Sequence, residues 1–185
     1  MLSQQKIDAM KRLQEEFKEL NRRPMSNFGI TVGLIDDDNI FEWKCTILGP
    51  KDTCYRGGLF HLKIKFPDDY PNTKPEVDFL TPIYHLNVKF FANGSQPLGH
   101  ICVSTLNEWK KEYKINKVLP ELFYLFSHNN PESPYDYRDN SRRNEYVNNR
   151  ALFEEKARYF TKKYANPLGK KKEYTTDWDF TYVKK

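Results

Sequence analysis

The sequence predicts an α+β fold in which a four-strand antiparallel sheet is flanked by an N-terminal helix, a central helix and C-terminal helices. Three observations support this prediction. Apolar residues recur at helical spacing near the start of the chain. The pattern then changes to short β-rich segments divided by turn residues, and helical spacing returns in the second half.

The first predicted element is a helix from about Ser3 to Asn21. Apolar side chains at spacings of three and four give this helix one stripe that faces a core: Ile7, Met10, Leu13, Phe17 and Leu20. Ser3 is a suitable N-cap because its hydroxyl can accept a hydrogen bond from the first turn. Pro24 enforces the end of the helix.

Four short segments rich in β-branched and aromatic residues follow the helix, at about 28–35, 40–48, 58–66 and 76–80. Turn-forming residues (Asp, Asn, Gly and Pro) separate these segments, at 36–39, 49–52 and 67–71. The alternation of strand and turn signals predicts a four-strand antiparallel meander.

Residues 81–113 show no convincing helical or strand period. An ordered loop of this length in a compact domain is usually functional, so we expect the chemistry of the protein to be located here.

Two helices are predicted beyond this loop. Apolar residues between Val118 and Phe126 predict a helix that ends near His128, before an Asn- and Pro-rich segment. Its strongly apolar character predicts a central position in the fold. A last helix runs from about Arg143 to Tyr164 and is stopped by Pro167 and Gly169.

The composition indicates a folded, soluble protein of one domain with short ends. Its 185 residues suffice for a single core, and charged residues of both signs make up 30% of the chain. No apolar run approaches the roughly 20 residues that span a bilayer, and the first residues are polar rather than a secretory leader. A cytosolic or nuclear location without a membrane partner is therefore expected.

The net charge of +5 is modest and arises partly from basic pairs such as Arg142–Arg143. Most pairs of this kind are solvated surface, and the functional alternative is attraction to an acidic partner surface. No helix-turn-helix, zinc-finger or aromatic RNA-binding pattern accompanies the charge, so nucleic acid is not an expected partner.

The cysteines Cys45, Cys54 and Cys102 are odd in number and widely spaced, so they suggest neither a disulfide framework nor a paired-thiol zinc site. Cys45 lies in a predicted strand and Cys54 in a predicted turn, and we interpret both as structural or incidental. Cys102 lies in the long loop. For an isolated cysteine, a buried thiol that acts as a small hydrophobe is the usual alternative to a reactive one.

Several separated blocks occur in a fixed order between residues 3 and 166: FEWK at 41–44, GP at 49–50, YRGGLF at 55–60 and FPDDYP at 66–71. The strongest blocks are IYHLN at 83–87, GHICV at 99–103 and Trp109. Each block is weak alone. The ordered set resembles the pattern of ubiquitin-conjugating enzymes.

This resemblance implies a ubiquitin-conjugating (UBC-like) fold over residues 1–166, followed by a basic and aromatic tail at 167–185. It implies that Cys102 accepts ubiquitin, or a ubiquitin-like protein, as a thioester and passes it to a substrate lysine or a ligase cysteine. A thiolate is a good nucleophile and thiols leave well, so cysteine suits such an acyl carrier. The implied partners are the modifier, an activating enzyme, a ligase and substrate proteins, and the chemistry requires neither a metal nor an organic cofactor.

The segment His85-Leu86-Asn87 departs from the family's usual His-Pro-Asn by one residue, because Leu86 stands where proline normally stiffens the turn. The resemblance gives Asn87 a role in stabilising the oxyanion formed when lysine attacks the thioester, in holding the active-site loop, or in both. His85 is expected to hydrogen-bond the backbone rather than to serve as a base.

Alignment with the family places Ser133 where many relatives carry an acidic residue that helps the incoming lysine lose its proton. Ser133 is therefore a candidate catalytic residue, with a helix cap as the alternative, and its neighbour Glu132 is expected to be a helix-start residue. Trp109 is expected to cover the core beside the active loop.

The first helix of the family docks an acidic domain of the activating enzyme, which makes Lys11 and Arg12 candidate docking residues and a solvated face the alternative. Asn87 and Cys102 stand further apart than in compact members of the family. Residues 89–98 therefore contain an insertion that is expected to form a surface flap, with either a partner-selecting role or none.

Two alternatives remain open from the sequence. A non-catalytic variant of the same fold would bind ubiquitin or assist a conjugating partner, although such variants typically lack the cysteine. A metal site formed by His85, His100 and Cys102 is more distant, because this spacing has no second ligand pair.

Overall fold

The computed structural model describes residues 2–90, 97–135 and 141–168. Within them a four-stranded sheet has the order β1-β2-β3-β4, and every neighbouring pair is antiparallel. The strands are β1 (Ile30–Leu34), β2 (Glu42–Leu48), β3 (Leu59–Lys65) and β4 (Glu76–Phe79). The predicted meander is confirmed, with strand ends that differ from the prediction by at most two residues.

Helices precede and follow the sheet: α1 (Gln4–Arg22), α2 (Ser104–Asn107), α3 (Ile115–Leu125), α4 (Ser141–Asn148) and α5 (Arg150–Tyr164). Ser3 caps α1 as predicted, because its hydroxyl accepts a hydrogen bond from the Lys6 amide. The α+β class is confirmed. No helix in the described part of the chain is long and apolar enough to cross a membrane.

The core lies between one face of the sheet and the helices α1 and α3. Side chains of β2 and β3 alternate between buried and more exposed positions, as expected for strands with one face on a core. Aromatic contacts join the layers: Phe60 of β3 packs on Phe126 at 4.9 Å between ring centroids, and Trp43 of β2 meets Phe17 of α1 at 5.2 Å.

A buried carboxylate ties α1 to the start of α3. Glu16 lies on the core side of α1 and is 2% exposed. Its carboxylate accepts hydrogen bonds from the Arg12 guanidinium, the Tyr70 hydroxyl and the Ile115 amide. Because Ile115 is the first residue of α3, Glu16 satisfies one of the free amides that every helix N-terminus leaves.

This contact explains why α3 begins at Ile115 rather than at Val118, the first residue of the predicted apolar run. The helix also accommodates Pro120 in its interior and ends at Leu125, before the predicted end near His128. The acceptor for the Ile115 amide is the Glu16 carboxylate of α1, which is far away in sequence. The apolar pattern of α3 therefore did not indicate where the helix begins.

The prediction of one last helix from Arg143 to Tyr164 is wrong, because Asn149 divides it into α4 and α5. The side-chain oxygen of Asn149 accepts a hydrogen bond from the Leu152 amide and caps α5. Helix α5 ends at Tyr164, before Pro167, as predicted. The predicted tail lies outside the described residues from position 169 onward.

Candidate active site

Cys102 follows a short segment, residues 99–101, that lies between β4 and residues 88–89, with a turn at Gly99 and strand-like pairing at His100 and Ile101. Isolated bridges pair His100 with Asp78 of β4 and Ile101 with Val88. Gly99 begins this segment with φ of 84°, and a Cβ there would lie 2.1 Å from the carbonyl oxygen of Phe79. Glycine is therefore required where the segment meets β4, and the backbone position of Cys102 is fixed from both sides.

The three described cysteines differ sharply in environment. Cys102 is exposed, whereas Cys45 is buried in the sheet and Cys54 is partly buried. Burial raises the pKa of the Cys45 thiol to about 12 and that of Cys54 to about 11. A hydrogen bond from His100 lowers the pKa of the Cys102 thiol, and the nearby charges of His100 and Lys74 act in the same direction. Cys102 is the thiol best suited to act as a nucleophile.

Cys54, rather than Cys102, borders two of the cavities found in the described part of the chain. Two neighbouring cavities of about 420 and 370 Å³ lie against Cys54, and Arg158 of α5 lines both. The thiol there is protonated at neutral pH, so cavity size does not identify the nucleophile. The exposed thiol of Cys102 is accessible to a large protein partner, whereas a thiol inside an enclosed pocket would be accessible only to a small molecule.

His85 is neutral, and its tautomer follows from its partners. Its Nδ1 accepts a hydrogen bond from the Asn87 amide, which can only donate, so Nδ1 carries no proton. Its Nε2 therefore donates to the carbonyl oxygen of Leu125 at 2.8 Å. Both ring nitrogens are bonded to the backbone, in agreement with the role expected for His85, and neither is directed at Cys102.

Burial lowers the pKa of His85 to about 4. The unfolded chain, with an ordinary histidine pKa near 6.5, therefore binds a proton that the folded chain does not. We expect the free energy of unfolding to be unaffected by this group above about pH 6.5 and to fall by about 3 kcal/mol as the pH decreases to about 4. Denaturant unfolding of wild type and His85→Gln across this range tests this. The variant should have a shallower pH dependence, and equal slopes would contradict the assignment.

Asn87 holds the segment that follows α3. The nitrogen of its side-chain amide, Nδ2, donates to the carbonyl oxygens of Asn130 at 3.1 Å and Ser133 at 2.9 Å. Its side-chain oxygen accepts a hydrogen bond from the Asn130 amide at 2.8 Å. All donors of this side chain are thus bonded to the 130–133 loop. A direct hydrogen bond to an oxyanion would require one of these two contacts to break.

Leu86 fills the place of the family's proline with a side chain that is 1% exposed. Hydrogen bonds of the Leu86 backbone, rather than a proline ring, restrain the turn. The Leu86 amide donates to the side chain of Asn129, and its carbonyl oxygen accepts from the amide of Tyr135. The turn is therefore stiffened from the loop that follows α3.

Arg142 of α4 is a site residue that the sequence pattern did not indicate. Its guanidinium donates to the carbonyl oxygens of His85 at 2.6 Å and Val88 at 3.2 Å. The side chain is 2% exposed and lies over the ring of Phe90. The interpretation of the pair Arg142–Arg143 as solvated surface is therefore wrong for Arg142, which clamps both ends of the segment that carries Asn87.

Ser133 lies in the loop that Asn87 holds, and its side chain is exposed. The next described helix, α4, begins at Ser141, so the alternative that Ser133 caps this helix is wrong. Glu132 is not a helix-start residue either, because it lies in a turn in which its amide donates to the side chain of Asn130. This hydrogen bond forms an Asx turn at Asn130, where the sequence predicted the start of a helix.

Trp109 lies at the edge of the site. Its indole N–H donates to the carbonyl oxygen of Pro71 at 2.8 Å, and its ring packs between those of Tyr70 and Tyr113. The residue thus ties the turn before β4 to the segment after α2. These contacts indicate that Trp109 supports the structure at this edge of the site.

The described residues at the start of the segment that contains the insertion are buried. Lys89 and Phe90 are almost fully buried, and the backbone of Lys89 pairs with Gly99 and His100. Residues 91–96 lie outside the described part of the chain, so the predicted flap is not tested there.

The two candidate docking residues on α1 differ. Lys11 is exposed, whereas Arg12 is partly buried, pairs with Glu16 at 2.5 Å and donates to the carbonyl oxygen of Tyr113. Burial opposes the charged form of Arg12, but the contact with Glu16 outweighs it and raises the pKa of Arg12. Arg12 is thus engaged within the molecule, and Lys11 is the one available at the surface.

Within residues 2–90, 97–135 and 141–168, no group of three or more His, Cys, Asp or Glu side chains is arranged to hold a metal ion. His85 in particular turns to the backbone and does not join His100 and Cys102.

Comparison with known proteins shows the family of the chain. A family model described as "Ubiquitin-conjugating enzyme" matches residues 12–161. The chain is 36% identical over 157 residues to ubiquitin-conjugating enzyme E2 14 of Schizosaccharomyces pombe, with 84% of this chain and 93% of that protein covered. It is 35% identical over 136 residues to ubiquitin-conjugating enzyme E2 13 of Arabidopsis thaliana, with 66% and 76% covered. The chain belongs to the ubiquitin-conjugating enzyme family.

Proposed function

We propose that this protein accepts ubiquitin, or a ubiquitin-like protein, from an activating enzyme as a thioester on Cys102 and transfers it to a substrate lysine or a ligase cysteine. The observation that carries the proposal is the environment of Cys102. This thiol is exposed, its pKa is lowered, and it lies on a backbone segment held from two sides. Family membership supports the same reaction.

The reaction is two acyl transfers. In the first, the Cys102 sulfur attacks the thioester carbonyl on the activating enzyme, a new C–S bond forms, and the electron pair of the broken bond leaves on the donor sulfur. In the second, a neutral amine or a thiolate attacks the carbonyl carbon of the new thioester, and the C–S bond breaks with its electron pair on the Cys102 sulfur. The proton that the amine loses as the amide forms passes to water or to the released thiolate. In this proposal Asn87 positions the 130–133 loop beside the reacting thioester, and the exposed side chain of Ser133 on that loop orients the incoming amine.

The expected partners are the modifier, its activating enzyme, a ligase and substrate proteins, and the expected location is the cytosol or nucleus. The functional core is proposed to span residues 1–166, with residues 167–185 as a tail. A non-catalytic variant that binds ubiquitin is the alternative. The reactive environment of Cys102 favours the enzyme.

A charging assay tests the proposal. The protein is incubated with ATP, one modifier and its matched activating enzyme, and the products are compared on non-reducing and reducing gels. We expect an adduct that disappears on reduction with at least one modifier. A protein that binds ubiquitin but forms no reducible adduct with any modifier would support the non-catalytic alternative instead.

Ser133 is proposed to orient the attacking amine, and an exchange of its hydroxyl for a carboxylate tests this role. A carboxylate attracts the ammonium form of lysine, so Ser133→Asp should change the rate of discharge to free lysine and its pH dependence, whereas Ser133→Ala should slow discharge only modestly. Single-turnover discharge of pre-charged protein from about pH 6 to 9 is the measurement. Overlapping curves for all three proteins would remove Ser133 from the mechanism.

Lys11 is proposed to attract the activating enzyme. Lys11→Glu should slow transfer onto Cys102, and more so at low salt, because screened attraction acts mainly on the encounter rate. Arg12 is left intact, since its loss would leave the buried carboxylate of Glu16 without its cation. Lys51→Glu, which makes the same charge change at another exposed position, is the control. Equal loading rates in both variants at every salt concentration would favour a solvated face.

A further inference from the structure

The chain places a histidine and a carboxylate beside the proposed nucleophile through backbone geometry alone. His100 and Cys102 are two positions apart in an extended segment, so their side chains project to the same side. Asp78 of β4 is the bridge partner of His100, and directly paired residues of antiparallel strands also share a face. The three side chains therefore line up in the order Asp78, His100, Cys102.

Their contacts follow that order. The Nδ1–H of His100 donates to Oδ1 of Asp78 at 2.6 Å, with both side chains mostly shielded from solvent. His100 also lies close enough to Cys102 to lower the pKa of its thiol. The ring of Tyr135 lies edge-on to the same imidazole, 6.0 Å between centroids, and restrains it from the side of the loop that follows α3.

We propose that His100 is the base that takes the thiol proton of Cys102, and that Asp78 is the positioning residue that holds the imidazole ring and stabilises its cation. This inference rests on the function proposed above and deepens it. It assigns a proton acceptor to the step that forms the thioester.

The proton and electron balance of the step is complete. The thiol proton becomes the second N–H of the imidazolium, and the S–H electron pair remains on sulfur, which then forms the C–S bond with the modifier's carbonyl carbon. In the later transfer the C–S bond breaks and its electron pair returns to the Cys102 sulfur, next to the cation. A thiolate stabilised in this way is also the better leaving group.

The surrounding charges favour this arrangement. Burial alone would lower the pKa of His100, but its hydrogen bonds with Asp78 and Cys102 outweigh this effect and raise the pKa to about 9. In the described part of the chain, Lys74 adds a positive charge near the thiol, and the backbone of Lys89 pairs with that of His100. Tyr135 is a further titratable group that contacts the ring. The thiol and the ring titrate as a coupled pair.

The first test measures the thiol directly and uses no ubiquitin. The rate of iodoacetamide alkylation of Cys102 is followed by mass spectrometry of its peptide from about pH 5 to 10, on the full chain. In His100→Gln and Asp78→Asn the midpoint should rise by about one pH unit, so that alkylation at pH 7 slows roughly tenfold. His100→Lys, which keeps a cation opposite Asp78, should retain most of the wild-type rate. His128→Gln and Glu76→Gln, which remove an exposed histidine and an exposed carboxylate of β4, should change nothing.

A double variant separates a functional unit from two independent structural effects. If Asp78 acts through His100, then Asp78→Asn combined with His100→Gln should match His100→Gln alone. The slow charging of these variants with ubiquitin at pH 7 should recover at pH 9, where the thiol ionises unaided. Unfolding curves verify that each variant is folded.

The outcomes distinguish this inference from the proposed function. A reducible ubiquitin adduct together with unchanged alkylation and charging profiles in both His100→Gln and Asp78→Asn would overturn the inference and leave the function standing. A shifted alkylation midpoint without a reducible adduct of any modifier in any of these proteins would support the proton transfer and overturn the proposed function.

Discussion

Cys102→Ser is expected to abolish the adduct that reducing agents cleave, because serine oxygen cannot form a thioester. The variant can form at most an oxyester, which resists reduction and accumulates more slowly, since an alcohol at neutral pH is a much weaker nucleophile than a thiolate. The measurement is the charging assay, with reducing and non-reducing gels compared over time. The expected effect is complete loss of the reducible band.

Cys54→Ser is the matched control for this substitution. The Cys54 thiol is partly buried and its pKa is raised to about 11, so its removal should leave charging unchanged. Normal reducible charging of Cys102→Ser, or loss of charging in Cys54→Ser, would show that the thioester forms elsewhere.

Asn87→Ala is expected to weaken both the fold and the second transfer. The variant loses three hydrogen bonds between the Asn87 side chain and the 130–133 loop. At about 1 kcal/mol for each, the free energy of unfolding should fall by about 3 kcal/mol. Discharge of the charged protein to free lysine should slow about 10²-fold, because a displaced loop misplaces the attacking amine. Denaturant unfolding and single-turnover discharge measure the two effects.

Amide hydrogen exchange at Asn130 separates the two roles of Asn87. The Asn130 amide loses its acceptor in Asn87→Ala and should exchange faster if Asn87 holds the loop. Asn27→Ala, the same substitution at an exposed position, is the control. Slow discharge with unchanged stability and unchanged exchange would instead assign to Asn87 the direct oxyanion contact, for which one donor is typically worth about 10²–10³ in rate.

Local signals were sufficient for the first half of the fold. The stripe of α1, its cap at Ser3 and the strand–turn alternation each depend on residues close in sequence, and the structure agrees with them. The second half depends on distant partners. The start of α3 is fixed by Glu16 of α1, and the break at Asn149 interrupts an apolar pattern that is continuous in the sequence.

The candidate site shows the same division. The sequence blocks identified the segments that carry Asn87 and Cys102, because family patterns are recorded along the chain. The clamp made by Arg142 was not predictable, since its acceptors are carbonyl oxygens that any residue type supplies. The pair of Asp78 and His100 required knowledge of which strand lies beside residue 100. The two-residue spacing of His100 and Cys102 is the part of this arrangement that the sequence contains, because it places both side chains on one side of an extended segment.

Differential labelling of the charged protein shows which cysteine carries the modifier. Charged protein is denatured at mildly acidic pH, its free thiols are blocked with one maleimide, the thioester is cleaved with hydroxylamine, and the released thiol is labelled with a second maleimide of different mass. We expect the second label on the peptide of Cys102 and the first label on those of Cys45 and Cys54. The first label on Cys102, in protein from which hydroxylamine releases the modifier, would contradict it.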